Sequence, residues 1–217
     1  VLHTFTWSAA ISSPKCKVDM HFQDGVWMYH LCLGFSDTSG DYYKHALVTL
    51  ISVFEHTKTR LCAHLIVDET CTDEKRRHFE KVCARYGQSL EIHSIRDMSA
   101  SLVDRVPAYL GKGALFRLFI PELIPEDRIV YLDCDIVCQL DIKELFDFDM
   151  GESTLCAALD LGPECDGLLS TYLEKLGVPP AYYVNTGVLL LDAAKLRSQY
   201  PGFRAEAEAL LMEHECR

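Results

Sequence analysis

Asp133 and Asp135 are the residues whose types and spacing most directly suggest chemistry. They interrupt an otherwise apolar, β-forming run, Arg128-Ile129-Val130-Tyr131-Leu132-Asp133-Cys134-Asp135-Ile136-Val137. Side chains two apart in an extended chain project to the same side. Both carboxylates would then leave the strand end together, with Cys134 pointing the other way. Two hard oxygen donors on one side suit Mn2+ or Mg2+. A metal held there could bridge a diphosphate and neutralise the charge that develops as a nucleoside diphosphate departs. The alternative is a strand end that simply emerges into water. Spacing alone does not choose, because Asp147-Phe148-Asp149 repeats it. That second pair follows a helix-like stretch, 142–146, and reads as a solvated turn. The first sits in an apolar run, where unpaired carboxylates are costly without a cation.

Three other groups invite a chemical reading. Asn185-Thr186-Gly187 breaks the apolar run 183–191, as either a functional site or a β-bulge with a satisfied amide. Arg117 stands among apolar neighbours and needs an anionic partner, either a phosphate or one of the two aspartates. Gly111-Lys112-Gly113 matches no phosphate-binding loop and reads as a flexible loop before a helix. The nine histidines show no His-x-x-x-His or similar metal pair and read as structural or exposed. No Gly-x-Ser-x-Gly nucleophile motif is present.

The elements that must carry these residues alternate. β-Rich runs at 27–35, 60–67 and 90–95 enclose helical stripes at 42–57 and 72–85. Thr72 is the expected cap of the second helix and Gly87 its stop. Further on, the pattern predicts helix over 113–123, strand over 128–132, strand over 154–159, helix over 167–176 and strand over 183–191. The β-α-β-α-β order predicts an α/β domain, a mostly parallel sheet with helices on both faces. Ligands bind such sheets beyond the carboxyl ends of the strands, which points to Ser36 and Asp37. Residues 1–24 read as an extension of uncertain origin, and 25–217 as one domain.

Composition narrows the classes. A net charge of -11 argues against a nucleic-acid partner, whose phosphates call for Lys and Arg. The ten cysteines include no Cys-x-x-Cys, and several lie inside apolar runs, as expected of reduced thiols in a cytoplasm.

Taken together, the segments Phe116-Arg117-Leu118-Phe119-Ile120-Pro121-Glu122-Leu123, Tyr131-Leu132-Asp133-Cys134-Asp135, Glu144-Leu145-Phe146-Asp147 and Tyr183-Val184-Asn185-Thr186-Gly187-Val188-Leu189-Leu190-Leu191 resemble glycosyltransferase family 8. That family includes bacterial lipopolysaccharide galactosyl- and glucosyltransferases and glycogenin. The resemblance implies a GT-A, Rossmann-like fold and a retaining transfer of glucose or galactose from a UDP-hexose. The acceptor would be a saccharide or a lipid-linked saccharide. It implies Mn2+ or Mg2+ on Asp133 and Asp135. Ser36, Asp37, Tyr42, Arg117, Cys134 and Thr186 would contact the nucleotide-sugar, with Asp37 at the uracil and Tyr42 stacking on it. Asp160 and Asn185 would line the sugar pocket as the catalytic candidates. The family's later Asp-Gln-Asp-like segment, and the His that completes its metal site, have no match before Arg217. His214 is too early to take that place. The resemblance thus implies a chain truncated at its C-terminus, cytoplasmic, with any membrane-surface association made through the missing part. A sugar nucleotidyltransferase and an inactive nucleotide-sugar-binding fragment are the competing readings.

Overall fold

Period-two alternation along the central strands gives this molecule two apolar cores, one on each side of a single sheet. The computed structural model describes residues 21–23, 26–96, 98, 100–104, 111–162, 167–179 and 182–213. The strands are β1 (His21–Gln23), β2 (Val26–Phe35), β3 (Leu61–Val67), β4 (Ser89–Ser94), β5 (Arg128–Leu132), β6 (Leu155–Leu159) and β7 (Val184–Asp192). Their order is β4-β3-β2-β5-β7-β6, with β1 paired to the start of β2. β4, β3, β2 and β5 run parallel, while β7 is antiparallel to both its neighbours.

Leu31, Leu33 and Phe35 of β2, Leu61, Ala63, Leu65 and Val67 of β3, and Val130 and Leu132 of β5 face one core. The helices α1 (Tyr43–His56) and α2 (Asp73–Arg85) close it through Leu50, Val53 and Phe79. The alternate residues Cys32, Ile66, Ile129 and Tyr131 face the other core with Leu189 and Leu191 of β7. Burial on both sheet faces is the reason these strands read as continuous apolar runs.

Two short helices, α3 (Ala100–Val103) and α4 (Ile120–Leu123), precede β5, and α5 (Lys143–Phe146) and α6 (Gly167–Lys175) follow it. The last helices among the described residues are α7 (Ala193–Gln199) and α8 (Phe203–Glu213). Thr72 caps α2 as expected, its hydroxyl accepting from Lys75 N, with Asp73 and Glu74 in the first turn. At the other end Gly87, at φ +65°, lets Gln88 N reach back to the Cys83 carbonyl.

Three expectations change. The strand β1 falls inside the segment 1–24 that the sequence set apart, with Phe22 opposite Trp27. The single helix expected over 113–123 is instead a 3-10 turn, Lys112–Phe119, followed by α4. Pro121 lacks the N–H that a continuous α-helix would donate to the Arg117 carbonyl, which accepts from Ile120 N instead. β5 ends at Leu132 as expected, but Asp133–Asp135 form a turn rather than an extended exit, with Ile136 N donating to the Asp133 carbonyl at 3.4 Å.

The 3-10 turn packs directly on β2. A Cβ at Gly34 would meet Phe116 Cβ at 2.9 Å, and one at Gly113 would meet Ser36 N at 2.8 Å. Gly34→Val should therefore force the turn off the strand and cost about 1–3 kcal/mol, read as a lower urea midpoint at unchanged slope.

Candidate active site

The carboxyl ends of β2 and β5 and the 3-10 turn enclose a cleft of about 480 Å³. Its lining includes Ser36, Tyr42, Lys112, Arg117, Asp133 and Asp135. The sheet rule that pointed to strand ends thus finds the site.

Asp133 is held through both its side chain and its main chain. Its Oδ1 accepts from the Tyr131 hydroxyl at 2.7 Å and from Arg117 at 2.9 Å. Its main-chain N donates to the Gly187 carbonyl at 2.8 Å, so β7 holds the turn in place. Burial lifts the Asp133 carboxyl above the usual range against the pull of Arg117 and Tyr131. Its side chain remains 32% exposed, which tempers that lift. Asp135 lies exposed on the same cleft, and Cys134 between them turns its thiol into the core towards the Gly34 carbonyl. Thr49 of α1 pins the turn by donating to the Cys134 carbonyl at 2.7 Å. Among the described residues, no donor reaches Asp133 Oδ2 or the Asp135 carboxylate. Two adjacent carboxylates with free oxygens are a donor set that Mn2+ or Mg2+ fits.

Arg117 pairs with Asp133 within the cleft, one of its two expected anionic partners. Besides Asp133 it donates to the carbonyls of Ala114 at 2.9 Å and Thr186 at 2.5 Å, and it lies over the Tyr131 ring. Asn185 shows the bulge: the β6–β7 register shifts between Ala157 and Ala158, and Asn185 Oδ1 accepts from Gly187 N at 2.9 Å. A Cβ at Gly187 would stand 3.0 Å from Asp133 Oδ2, so the close approach permitted by this glycine is that of Asp133.

The remaining predicted residues lie nearby or beneath. Thr186 is exposed and reaches the site through its carbonyl. Asp160 follows β6 at the same sheet end, its N donating to the Tyr183 carbonyl and its Oδ1 accepting from Gly162 N at 2.8 Å. Neither Asp160 nor Asn185 lines the cleft. Tyr42 does, and burial together with Asp135 and Asp133 raises its phenol above the ordinary value.

Asp37 lies under the cleft wall rather than in it. Its buried carboxylate accepts from Tyr42 N at 2.8 Å and Tyr43 N at 3.4 Å, which caps α1, and pairs with Lys75 at 2.8 Å. Burial pushes its pKa up, but Lys75 and the two amides hold it below the usual carboxylate range. The stabilisation from this ionised group is therefore complete above the unfolded-state value of about 3.9 and is lost as pH falls through the lower folded value. Asp37→Asn should remove that share of the acid dependence and cost about 1–3 kcal/mol at pH 7, as read by denaturant titrations across pH 2–7.

Lys112 was passed over as part of a flexible loop. It enters the cleft and binds Asp68 at 2.7 Å and Glu69 at 3.1 Å. The signal was Gly113, whose missing side chain lets the loop lie on the β2 backbone.

A sequence model of Glycosyl transferase family 8 matches residues 35–214. The chain belongs to that family. Among members and relatives, General stress protein A of Bacillus subtilis is 25% identical over 139 residues, 62% of this chain and 46% of that protein. The lipopolysaccharide glucosyltransferase WaaO of Escherichia coli is 23% identical over 189 residues, 82% of this chain and 53% of that protein. This chain thus spans about half the length of those two relatives. The galactosyltransferase LgtC, solved with donor and acceptor sugar analogues, superposes with a TM-score of 0.66 at 22% identity, over 86% of this chain and 67% of that one. At that identity the likeness concerns the fold, and it identifies the mostly parallel sheet of this family 8 chain as a GT-A sheet. Among the described residues, no helix is long and apolar enough to cross a membrane.

Proposed function

We propose that this family 8 domain takes glucose or galactose from a UDP-sugar, with Mn2+ or Mg2+, and passes it to a saccharide or lipid-linked saccharide acceptor with retention of configuration. The observation that carries this reading is the convergence of Asp133, Asp135, Arg117 and Lys112 on one cleft at the carboxyl ends of the strands. The names of WaaO and LgtC, a glucosyltransferase and a galactosyltransferase, favour a hexose donor.

Asp133 and Asp135 would hold the metal through their free oxygens. A divalent ion there supplies positive charge to a pyrophosphate. The chain's own residues do the rest. Arg117 and Lys112 bring cationic groups to a domain of net charge -11 and meet the anionic donor on one wall. Tyr131 and Gly187 keep Asp133 in position. Tyr42, on the rim, offers its ring to the base. Asp160 and Asn185, at the adjoining ends of β6 and β7, would face the sugar. As the bond to UDP weakens, charge grows on the departing oxygens, where Arg117 and Lys112 stabilise it. The acceptor oxygen bonds to the anomeric carbon from the face that UDP leaves, the carbon–oxygen bond to UDP breaks, and the hydroxyl proton passes to the departing UDP oxygen. The reaction is placed in a cytoplasm, where UDP-sugar and reduced cysteine coexist.

Calorimetry with UDP, in Mn2+ and after chelation, tests binding. A donor-hydrolysis assay with UDP-glucose and UDP-galactose tests chemistry. Metal-dependent binding with slow hydrolysis of one donor is expected. Binding without hydrolysis would leave a nucleotide-sugar-binding domain, and absence of UDP binding in Mn2+ would defeat the reading.

A further inference from the structure

Three neighbouring strands carry metal-ligating side chains two residues apart: His30-x-Cys32 on β2, Cys62-x-His64 on β3 and Glu91-x-His93 on β4. Period two places each pair on one face, and the parallel register aligns the pairs. His30 lies opposite Cys62, His64 opposite Glu91, and Ile66 opposite His93. His30 and His64 are buried, whereas Glu91 is exposed on the edge strand.

The distances at the edge are those of a coordination triangle. His64 Nδ1 stands 3.1 Å from His93 Nε2 and 3.6 Å from Glu91 Oε2, and His93 Nε2 stands 3.9 Å from Glu91 Oε2. An ion centred among these three atoms would lie about 2.1 Å from each, the usual zinc–nitrogen and zinc–oxygen length. The second ring nitrogen of His64 meets His30 Nδ1 at 2.9 Å, and Glu126 approaches that same atom at 3.9 Å. A histidine backed in this way by a further polar group and a carboxylate has its ring orientation fixed, the usual surrounding of a metal ligand.

We propose that His64, Glu91 and His93 form a site for a zinc-like divalent ion, separate from the nucleotide cleft, which clips the edge strand β4 to β3. Two imidazoles and one carboxylate select zinc over Mg2+, which prefers an all-oxygen octahedron. The half-buried His93 and exposed Glu91 give the ion its entry path. A sheet edge tied down by metal also presents a less free template for pairing with other chains. This site does not depend on the proposed transferase activity.

The test uses the full chain carrying Asp133→Asn and Asp135→Asn, stripped of metal and titrated with Zn2+ by calorimetry. One equivalent should bind with micromolar or tighter affinity, and excess Mg2+ should not displace it. Adding Glu91→Gln and His93→Gln, both towards the sheet edge, should weaken binding more than about 100-fold, beyond the 10- to 100-fold expected for the supporting change His30→Gln. Circular dichroism checks that each variant is folded. As a measurement needing no ligand variant, Co2+ in this background, with water as the fourth ligand at the exposed edge, should give the intense visible bands of a four-coordinate ion. Unchanged Zn2+ affinity in the Glu91→Gln, His93→Gln protein, displacement by Mg2+, binding no tighter than millimolar, or the pale spectrum of six-coordinate cobalt would each overturn the proposal.

Discussion

Replacing Asp133 and Asp135 together with alanine should abolish the metal-dependent part of UDP affinity. A divalent ion supplies several kcal/mol to a bound diphosphate, so a loss on the order of 100-fold or more is expected. Calorimetry with and without Mn2+ reads it directly. The fold should survive, because both groups lie in a turn held through main-chain atoms: Asp133 N to the Gly187 carbonyl and Thr49 to the Cys134 carbonyl. Arg117 loses one partner but keeps the carbonyls of Ala114 and Thr186. Equal UDP affinity for the variant and the parent, with Mn2+ present for both, would mean that the acids merely end a strand.

Phe116→Ala should have the largest effect on stability. Phe116 is 1% exposed and lies in the second core with Cys32, Ile120 and Tyr131. Truncating a buried phenylalanine costs about 3–5 kcal/mol, a large share of the 5–15 kcal/mol typical of a domain. Its ring anchors the turn in that core, so the loss also slackens the turn that carries Lys112 and Arg117 into the cleft. Guanidinium unfolding monitored by circular dichroism measures the first effect. Calorimetry with UDP at low temperature, where the variant remains folded, measures the second as weaker binding. A change below 1 kcal/mol would show that the site collapses around the void.

The strand β5 was legible to the residue, because a continuous apolar β-run between a charged turn and two acids admits few other readings. The Thr72 cap and the Gly87 stop were legible too, since each depends on chemistry confined to a few residues. What escaped was set by tertiary partners. The helical periodicity over 113–123 is real, but Pro121 and the contact with Gly34 tighten its first part into a 3-10 turn. Asp37 stood in the expected loop, yet Lys75 and the amides of α1 claim its carboxylate. The histidine row was invisible to a search along the chain. Its members lie on different strands, and only the register of β2, β3 and β4 brings them together. Spacings of three or four, sought for a helix, could not detect ligands spaced two apart on separate strands.

From Tyr29 to Phe35, Leu61 to Val67 and Ile129 to Leu132, the strands β2, β3 and β5 are buried on both faces, mostly among apolar side chains. Hereditary variation has little room there: nearly any polar replacement strikes a core. Freedom to change what the cleft accepts is confined to the tips of those strands and the turns beyond them. A lineage could thus retune its donor or acceptor by altering the rim while its melting temperature stays almost constant, and drift in heat tolerance would trace to different positions from drift in specificity.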